Sequence, residues 1–290
     1  MFASRPPEHS ASAVQPAEPP RVSRAGRNLW AAITVGLVMG AGILIALFTV
    51  RQLFIGIVAI TVAVSSWELA GALRRAGIRI ALPPVLLGGQ AMVWLPWPFG
   101  QDGILVAFVI TALVCLVWRF PRGAAGYVRD VSASVFTAAY VPGFAAFATL
   151  LVVPADGAAR VLCLLIAGVA SDVGGYAAGV LGGRHPMAPS ISPNKSWEGF
   201  IGSLVAGTAA GALSVTYLLG GQPWHGVLFA AAIVLTATGG DLVESLIKRD
   251  LGVKDMGTVL PGHGGAMDRI DSLLPSAVVS WLLLSLFVPV

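Results

Sequence analysis

Long apolar runs, separated by short polar segments, constrain this 290-residue chain more than any other feature. A helix of 20 residues rises about 30 Å, which is the thickness of the hydrocarbon core of a bilayer. Charged residues make up 11% of the chain, compared with about 25% in a typical soluble domain. We therefore predict an all-α, polytopic integral membrane protein with about nine transmembrane helices, at residues 29–50, 53–73, 80–97, 103–118, 132–153, 159–181, 199–219, 224–243 and 272–289.

The chain divides into a polar N-terminal segment and one membrane domain. Residues 1–28 are rich in proline, serine and alanine and show no apolar period. Such a segment cannot bury a core, so we predict a disordered cytoplasmic tail. Residues 29–290 are predicted to form a single polytopic transmembrane domain. Cys115 and Cys163 both lie within apolar runs, which favours a packing role over a disulfide or a metal site.

The basic residues indicate which helix ends face the cytoplasm, because cytoplasmic loops are enriched in lysine and arginine. With a cytoplasmic N-terminus, nine spans place all 18 basic residues on the inner side except Arg51 and Arg160. We therefore predict a multi-pass protein of the cell membrane (inner or plasma membrane). Its N-terminus and its charged loops would be cytoplasmic, and its C-terminus would lie on the opposite side.

The polar stretch at residues 239–272 carries dense charge between two apolar runs. A charged group costs about 2.5–3.5 kcal/mol at the centre of a membrane helix, so such groups tend to mark functional sites. Carboxylates precede and follow a glycine-rich loop at 261–265, and hard oxygen ligands of this kind suit Mg²⁺ that also binds phosphates. We predict Asp241 and Asp268 as metal ligands. Asp271 is predicted to bind a second metal ion or to support the ligands of the first, with a helix N-terminal carboxylate as the alternative. A solvated loop between two spans is the alternative.

A second polar segment surrounds Lys195. Ser196 is a predicted N-cap for the helix that follows, and a helix N-terminus beside a lysine is a ready anion site. Lys195 is therefore our candidate for holding a triphosphate or a lipid phosphate. Asp172 lies within the sixth predicted span, where an unpartnered carboxylate is costly. We expect it to face a polar cavity, with a capping or packing role as the alternative.

Two charged features outside these segments have more than one interpretation. Glu68 lies in the second apolar run, and we favour a position near the cytoplasmic end that reaches water over one that lines a polar interior. The loop at 119–130 carries three arginines, which either bind anionic lipid headgroups or reflect membrane topology alone.

The two polar segments resemble the signature of the phosphatidate cytidylyltransferase (CDP-diacylglycerol synthase) family. The chain has Ser-x-x-Lys-Arg-x4-Lys-Asp from Ser245 to Asp255 and His-Gly-Gly-x-x-Asp-Arg-x-Asp from His263 to Asp271. Upstream it has Ser-Asp-Val-Gly-Gly-Tyr and Ser-Pro-Asn-Lys-Ser-Trp-Glu-Gly, the second at 192–199. By motif the resemblance covers roughly residues 171 to 272, and beyond them only the run of membrane spans is similar.

The resemblance implies a nucleotidyltransferase of phospholipid biosynthesis that converts CTP and phosphatidate to CDP-diacylglycerol and pyrophosphate. It implies Mg²⁺ as cofactor, Asp241 and Asp268 as its ligands with Ser245 nearby, and a homodimer. CTP, phosphatidate and membrane lipids would be the partners, with no role for nucleic acid. The expected catalytic residues are Lys195, Ser245, Lys248, Arg249, His263 and Arg269, and the expected substrate-binding residues are Asp172, Lys195, Ser196 and Lys254.

Two other functions stay open at this point. One is another CTP-dependent lipid enzyme, such as a polyprenol kinase, against which the order of motifs between Ser245 and Asp271 argues. The other is an ion-coupled transporter in which Asp172 and Asp241 bind the coupling ion. A transporter of this kind has broken helices in matched halves, and the sequence shows no such pairing.

Overall fold

The computed structural model describes residues 29–257, 259 and 264–289, so the predicted tail at 1–28 lies outside it. Most of the described chain is helical. A 3₁₀ turn at Phe120–Arg122 follows the fourth helix, and a π-helical segment at Ala139–Gly143 joins the fifth to the sixth. The α-helices are α1 (Leu29–Thr49), α2 (Arg51–Arg75), α3 (Leu82–Trp94), α4 (Pro96–Trp118), α5 (Tyr127–Ala138), α6 (Phe144–Val152), α7 (Gly157–Gly182), α8 (Trp197–Leu219), α9 (Pro223–Asp250), α10 (Met267–Ile270) and α11 (Leu273–Phe287).

Seven helical segments of the described chain are long and apolar enough to cross a membrane. The protein is therefore a multi-pass α-helical membrane protein, as the sequence predicts. The predicted count of nine spans is not confirmed, since α1 and α3 are not among the seven. The seven run over Arg51–Arg75, Pro96–Arg122, Tyr127–Val152, Gly157–Gly182, Trp197–Leu219, Pro223–Asp250 and Met267–Phe287.

Prolines explain why the third predicted span, at 80–97, is cut short. Proline is tolerated in the first turn of a helix, where its missing N–H has no intrahelical partner to lose. Prolines stand in the first turns of both α3 and α4. The 13 residues of α3 rise only about 20 Å. In α4, Gly100 has a φ of 59° and interrupts the helical backbone, so the chain turns sharply between the two helices.

The fifth span is continuous despite a proline in its middle. Pro142 cannot donate a backbone hydrogen bond, and the π-helical segment around it absorbs the irregularity between α5 and α6. The span starts at Tyr127 rather than at the predicted 132. The reason is Asp130, which is buried but paired with Arg119 at 3.0 Å, so its charge does not end the helix.

Glycines bring α7, α8 and α9 into close contact. A Cβ on Gly174 of α7 would lie 2.6 Å from the carbonyl oxygen of Gly202 on α8, and one on Gly202 would lie 2.6 Å from that of Gly174. Between α8 and α9, a Cβ on Gly211 would lie 2.7 Å from the carbonyl oxygen of Gly226. Small residues at such contacts let helix backbones approach closely in lipid. These three helices therefore form a tight unit that carries most of the polar residues discussed below.

A short antiparallel hairpin, not expected from the sequence, connects α7 to α8. Its strands are β1 (Pro186–Ala188) and β2 (Ser192–Ser196). The hairpin ends directly at the start of α8, where the Ser196 side chain accepts a hydrogen bond from the Gly199 N–H at 3.1 Å. The predicted N-cap is confirmed. Because the cap fixes where α8 begins, it also fixes the position of Lys195 one residue earlier.

The α8–α9 contact predicts opposite effects of one substitution at two helical glycines. Alanine is favoured over glycine in a helix by about 1 kcal/mol, yet a Cβ at Gly211 collides with α9, whereas nothing lies within 4 Å of one at Gly168. Overpacking costs about 1–3 kcal/mol. We expect Gly211→Ala to lower the melting temperature of the detergent-solubilised protein and Gly168→Ala to leave it equal or raise it. Equal melting temperatures for the two variants would contradict the contact.

Candidate active site

An open polar cavity of about 420 Å³, called here the acidic cavity, lies where α7, α9, α10 and β2 meet. Its wall contains six carboxylates and three cationic side chains. Most of the residues predicted to be functional therefore come together in one place. The lining residues are Asp172, Ser192, Lys195, Asp241, Glu244, Ser245, Lys248, Asp255, Asp268, Arg269, Asp271 and Ser272.

Two lysines pair with carboxylates of the acidic cavity. The Nζ of Lys195, at the end of β2, lies 2.6 Å from Oδ2 of Asp241 on α9. The Nζ of Lys248 lies 2.9 Å from Oδ1 of Asp268 and also pairs with Glu244, one turn earlier on α9. The second oxygen of Glu244, Oε1, is buried without a hydrogen-bond partner in the described structure. The cavity thus keeps unused oxygen ligands in addition to its ion pairs.

Asp268 organises the loop between α9 and α10. Its Oδ2 accepts hydrogen bonds from the backbone N–H of Met256 at 3.1 Å and of Gly265 at 2.9 Å. Gly264 has a φ of 84°, in the left-handed region that favours glycine. A Cβ on Gly265 would lie 2.8 Å from Oδ2 of Asp268. The Gly-Gly of the motif is therefore needed for the loop to close around the Asp268 carboxylate.

Glu68 supports the same loop, which the sequence-based interpretation missed. The residue is only 3% exposed, and its Oε2 accepts a hydrogen bond from the Met267 N–H at 3.0 Å. A Cβ on Gly265 would lie 2.7 Å from this Oε2. The favoured prediction that Glu68 reaches water is wrong, because Gly257, Gly265 and Met267 lie against its carboxylate. Two buried serines beside it, Ser65 and Ser66, were the available signal of a polar interior.

A second cleft, also of about 420 Å³, adjoins the acidic cavity between α7 and α8. Gly175, Gly179 and Gly199 line it, so backbone forms much of its wall. The cleft and the acidic cavity share the lining residues Asp172, Lys195 and Asp241. The expectation that Asp172 faces a polar cavity is confirmed. Ser196 lines the cleft as well as capping α8.

The remaining predicted residues lie in different places. Ser245, Arg269 and Asp271 line the acidic cavity. The Nε of Arg249 instead donates to the Ile191 carbonyl oxygen at 2.7 Å, which ties the end of α9 to the hairpin. Lys254 is exposed on the turn after α9 and lines neither cavity. His263 lies outside the described residues.

Hard oxygen donors and lysines in one open cavity are suited to phosphate groups and the cations that accompany them. Within the described ranges, no three histidine, cysteine or carboxylate side chains are already gathered as a metal-binding group. Together, the helices and the cavity define a multi-pass membrane enzyme that acts on phosphate compounds.

The family follows from comparison with known proteins. A sequence model described as the cytidylyltransferase family matches residues 30–287. The chain is 53% identical over 279 residues to the phosphatidate cytidylyltransferase of Mycobacterium leprae (strain TN), covering 91% of this chain and 89% of that one. It is 49% identical over 294 residues to the phosphatidate cytidylyltransferase of Mycobacterium bovis, covering 97% and 96%. The chain belongs to the cytidylyltransferase family.

The pairing of Lys248 predicts a loss of stability when its charge is removed. The Lys248→Met substitution would leave Glu244 and Asp268, whose side chains are 2% and 8% exposed, without their cation. Removing one partner of a buried ion pair typically costs about 3–5 kcal/mol. We expect a clearly lower melting temperature for Lys248→Met than for Lys254→Met, a matched change at an exposed lysine. Equal melting temperatures for the two variants would show that Lys248 does not form stable ion pairs with Glu244 and Asp268.

Proposed function

We propose that the acidic cavity is where this chain transfers the cytidylyl group of CTP to phosphatidate. The chain is a phosphatidate cytidylyltransferase, which makes CDP-diacylglycerol and pyrophosphate, by its family and by relatives that match nearly its whole length. The observation that carries the placement is the convergence of Lys195 and Lys248 on carboxylates of one cavity. Both lysines belong to the polar motifs of the sequence.

The cavity supplies cations where the reaction develops negative charge. An oxygen of the lipid phosphate attacks the α-phosphorus of CTP, and the bond between the α- and β-phosphates breaks as pyrophosphate departs with its electrons. The attacking phosphate is already an anion, so no general base is required. Lys195 and Lys248 would stabilise phosphate oxygens in the transition state, as preorganised positive charges do where negative charge develops. Ser245 and Arg269, which line the same wall, would position the phosphates.

The glycine-lined cleft is suited to the nucleotide. Its shared residues Asp172, Lys195 and Asp241 mean that a nucleotide in the cleft would extend its phosphates into the acidic cavity. Glycines allow a ligand to approach the backbone closely, and Asn194 and Ser196 offer hydrogen-bonding groups in the cleft wall. We propose this cleft for the cytidine and ribose of CTP.

Magnesium fits the acidic cavity on the chemistry of its donors. Six carboxylates outnumber three cations, and the buried Oε1 of Glu244 has no partner in the described structure. Mg²⁺ is typically held by one or two carboxylates together with substrate phosphates and water. Asp241 and Asp268 would hold the ion, with Asp271 beside them. When bound, it would act as a Lewis acid toward phosphate oxygens.

Neither alternative function gains support from the structure. The family model and the two relatives named above are all described as cytidylyltransferases. The homodimer suggested by the family resemblance stays a prediction, as does the role of His263.

We further propose that the acidic cavity opens to the cytoplasm, because basic residues concentrate at that end of the helices. Alkaline phosphatase fused after Val290 should be active in cells, since that enzyme works outside the cytoplasm, whereas a fusion inserted near Pro186 should be inactive. The control is the same pair of fusions with a cytoplasmic reporter, which should give the opposite pattern. The reverse result would place the cavity on the outer side.

The shared cavity predicts non-additive losses of activity. With radiolabelled CTP and phosphatidate, we expect Asp241→Asn and Asp268→Asn each to lower the yield of CDP-diacylglycerol by at least about 10²–10³-fold, the typical cost of removing one transition-state contact. The double variant should be little worse than either single variant, since residues that act as a unit are non-additive. EDTA should abolish the reaction, and Mg²⁺ should restore it.

Asp250→Asn is the matched control, because Asp250 is exposed at the end of α9. Its activity should equal that of the unchanged protein. If the loss of activity in the double variant equalled the product of the two single losses, Asp241 and Asp268 would have independent roles. Full activity in excess EDTA would exclude the metal, while product formation would still support the enzyme class.

A further inference from the structure

A second charged cavity lies on the far side of the loop that Asp268 organises. It has a volume of about 500 Å³ and is enclosed by the end of α2, the start of α3, the end of α4 and the loop after α9. Glu68 is the one carboxylate among the described residues of its wall, and its Oε2 bonds the Met267 N–H. We call this cavity the arginine pocket, after Arg74, Arg75, Arg79 and Arg122, which line it.

The arginines of the pocket differ from neighbouring arginines in how many hydrogen bonds and ion pairs their side chains make. Arg119 and Arg129, on the adjoining segment, both pair with Asp130 and bond backbone carbonyls. These two have a structural role. Three side chains of the pocket make no hydrogen bond or ion pair anywhere in the described part of the chain: Arg74, Arg79 and Arg122. These exposed guanidinium groups have all their donors available for an anionic ligand, which they can bind through paired hydrogen bonds.

The rim of the arginine pocket is aromatic and lies at helix ends. Trp67 is 56% exposed and Trp118 is 46% exposed, and both line the pocket. Trp118 is the last residue of α4, and Trp67 lies about two turns before the end of α2. Tryptophan at this level of a membrane helix is typical of the interface between headgroups and acyl chains. A ligand with a phosphate on an apolar body fits this surface better than a free nucleotide.

One residue separates the arginine pocket from the acidic cavity. The N–H of Met256 donates to Asp268 Oδ2 at 3.1 Å, while its carbonyl oxygen accepts from Arg75 Nη2 at 3.5 Å. Met256 lines the arginine pocket, and Asp268 lines the acidic cavity. An anion bound beside Arg75 would therefore lie one residue of backbone away from Asp268.

We propose that the arginine pocket binds the phosphate headgroup of phosphatidate before that phosphate enters the acidic cavity. This proposal rests on the proposed function, in which phosphatidate is the substrate that accepts the cytidylyl group. A lipid phosphate that approaches six carboxylates directly is repelled. The arginines offset that repulsion by neutralising the headgroup, because guanidinium groups bind phosphate through paired hydrogen bonds.

The kinetic test separates the two substrates. In mixed micelles with phosphatidate at varied surface concentration, Arg79→Gln with Arg122→Gln should raise the KM for phosphatidate by about tenfold or more, the effect of losing one hydrogen bond to a charged group. The KM for CTP should not change. Arg184→Gln is the matched control, since Arg184 is exposed and lines neither cavity, and its KM values should equal those of the unchanged protein.

A binding test needs neither CTP nor turnover, so it is informative even if the proposed function fails. Phosphatidate with brominated acyl chains should quench tryptophan fluorescence saturably, and more strongly than brominated phosphatidylcholine. The difference should disappear in the Arg79→Gln, Arg122→Gln protein and in a variant with Trp67→Phe and Trp118→Phe. The Arg184→Gln protein should retain it.

Three results would overturn the proposal. The first is a raised KM for CTP with no change for phosphatidate, which would assign the pocket to the nucleotide. The second is equal quenching by the two brominated lipids. The third is complete displacement by inorganic phosphate at the same concentration as the lipid, which would make the pocket a site for the free anion.

Discussion

A carboxylate between apolar helices is stable only when it has a partner, and the active face of this protein is arranged around that requirement. The Lys248 ammonium lies between Glu244 and Asp268, so one cation on α9 serves two acidic groups from different helices. Asp268 then takes the N–H groups of Met256 and Gly265. The positions of Met256 and Gly265 therefore depend on a charge balance that a substrate phosphate would alter.

Close helix packing supplies the second half of the site. The backbones of α7 and α8 approach each other at paired glycines, Gly174 and Gly202, and the hairpin between these helices ends at the Ser196 cap. The cap places Lys195 opposite Asp241. The glycine contact and the serine cap thus together hold the Lys195 side chain against α9.

The sequence was most informative where charged residues recur at motif spacing beside apolar runs. The helical fold and the gathering of Asp172, Asp241 and Asp268 at one cavity follow from apolar runs and from charged motifs beside them. Contacts between distant segments were not accessible, because no local pattern encodes them. Glu68 reaches Met267 across 199 positions of sequence. Lys248 and Arg249 are adjacent basic residues of the same motif, so the sequence does not distinguish their roles. In the structure Lys248 pairs with Asp268, whereas Arg249 donates to a backbone carbonyl oxygen of the hairpin.

The shortness of α3 has a consequence for the surrounding bilayer. Its 13 residues rise about 10 Å less than a hydrocarbon core of roughly 30 Å. A helix too short to span can lie within the membrane only if the bilayer thins beside it or if its ends pack against other helices. Leu82 and Pro83, in the first turn of α3, line the arginine pocket. Thinning beside α3 would therefore shorten the vertical distance between the headgroup layer and the interior of the protein at that pocket.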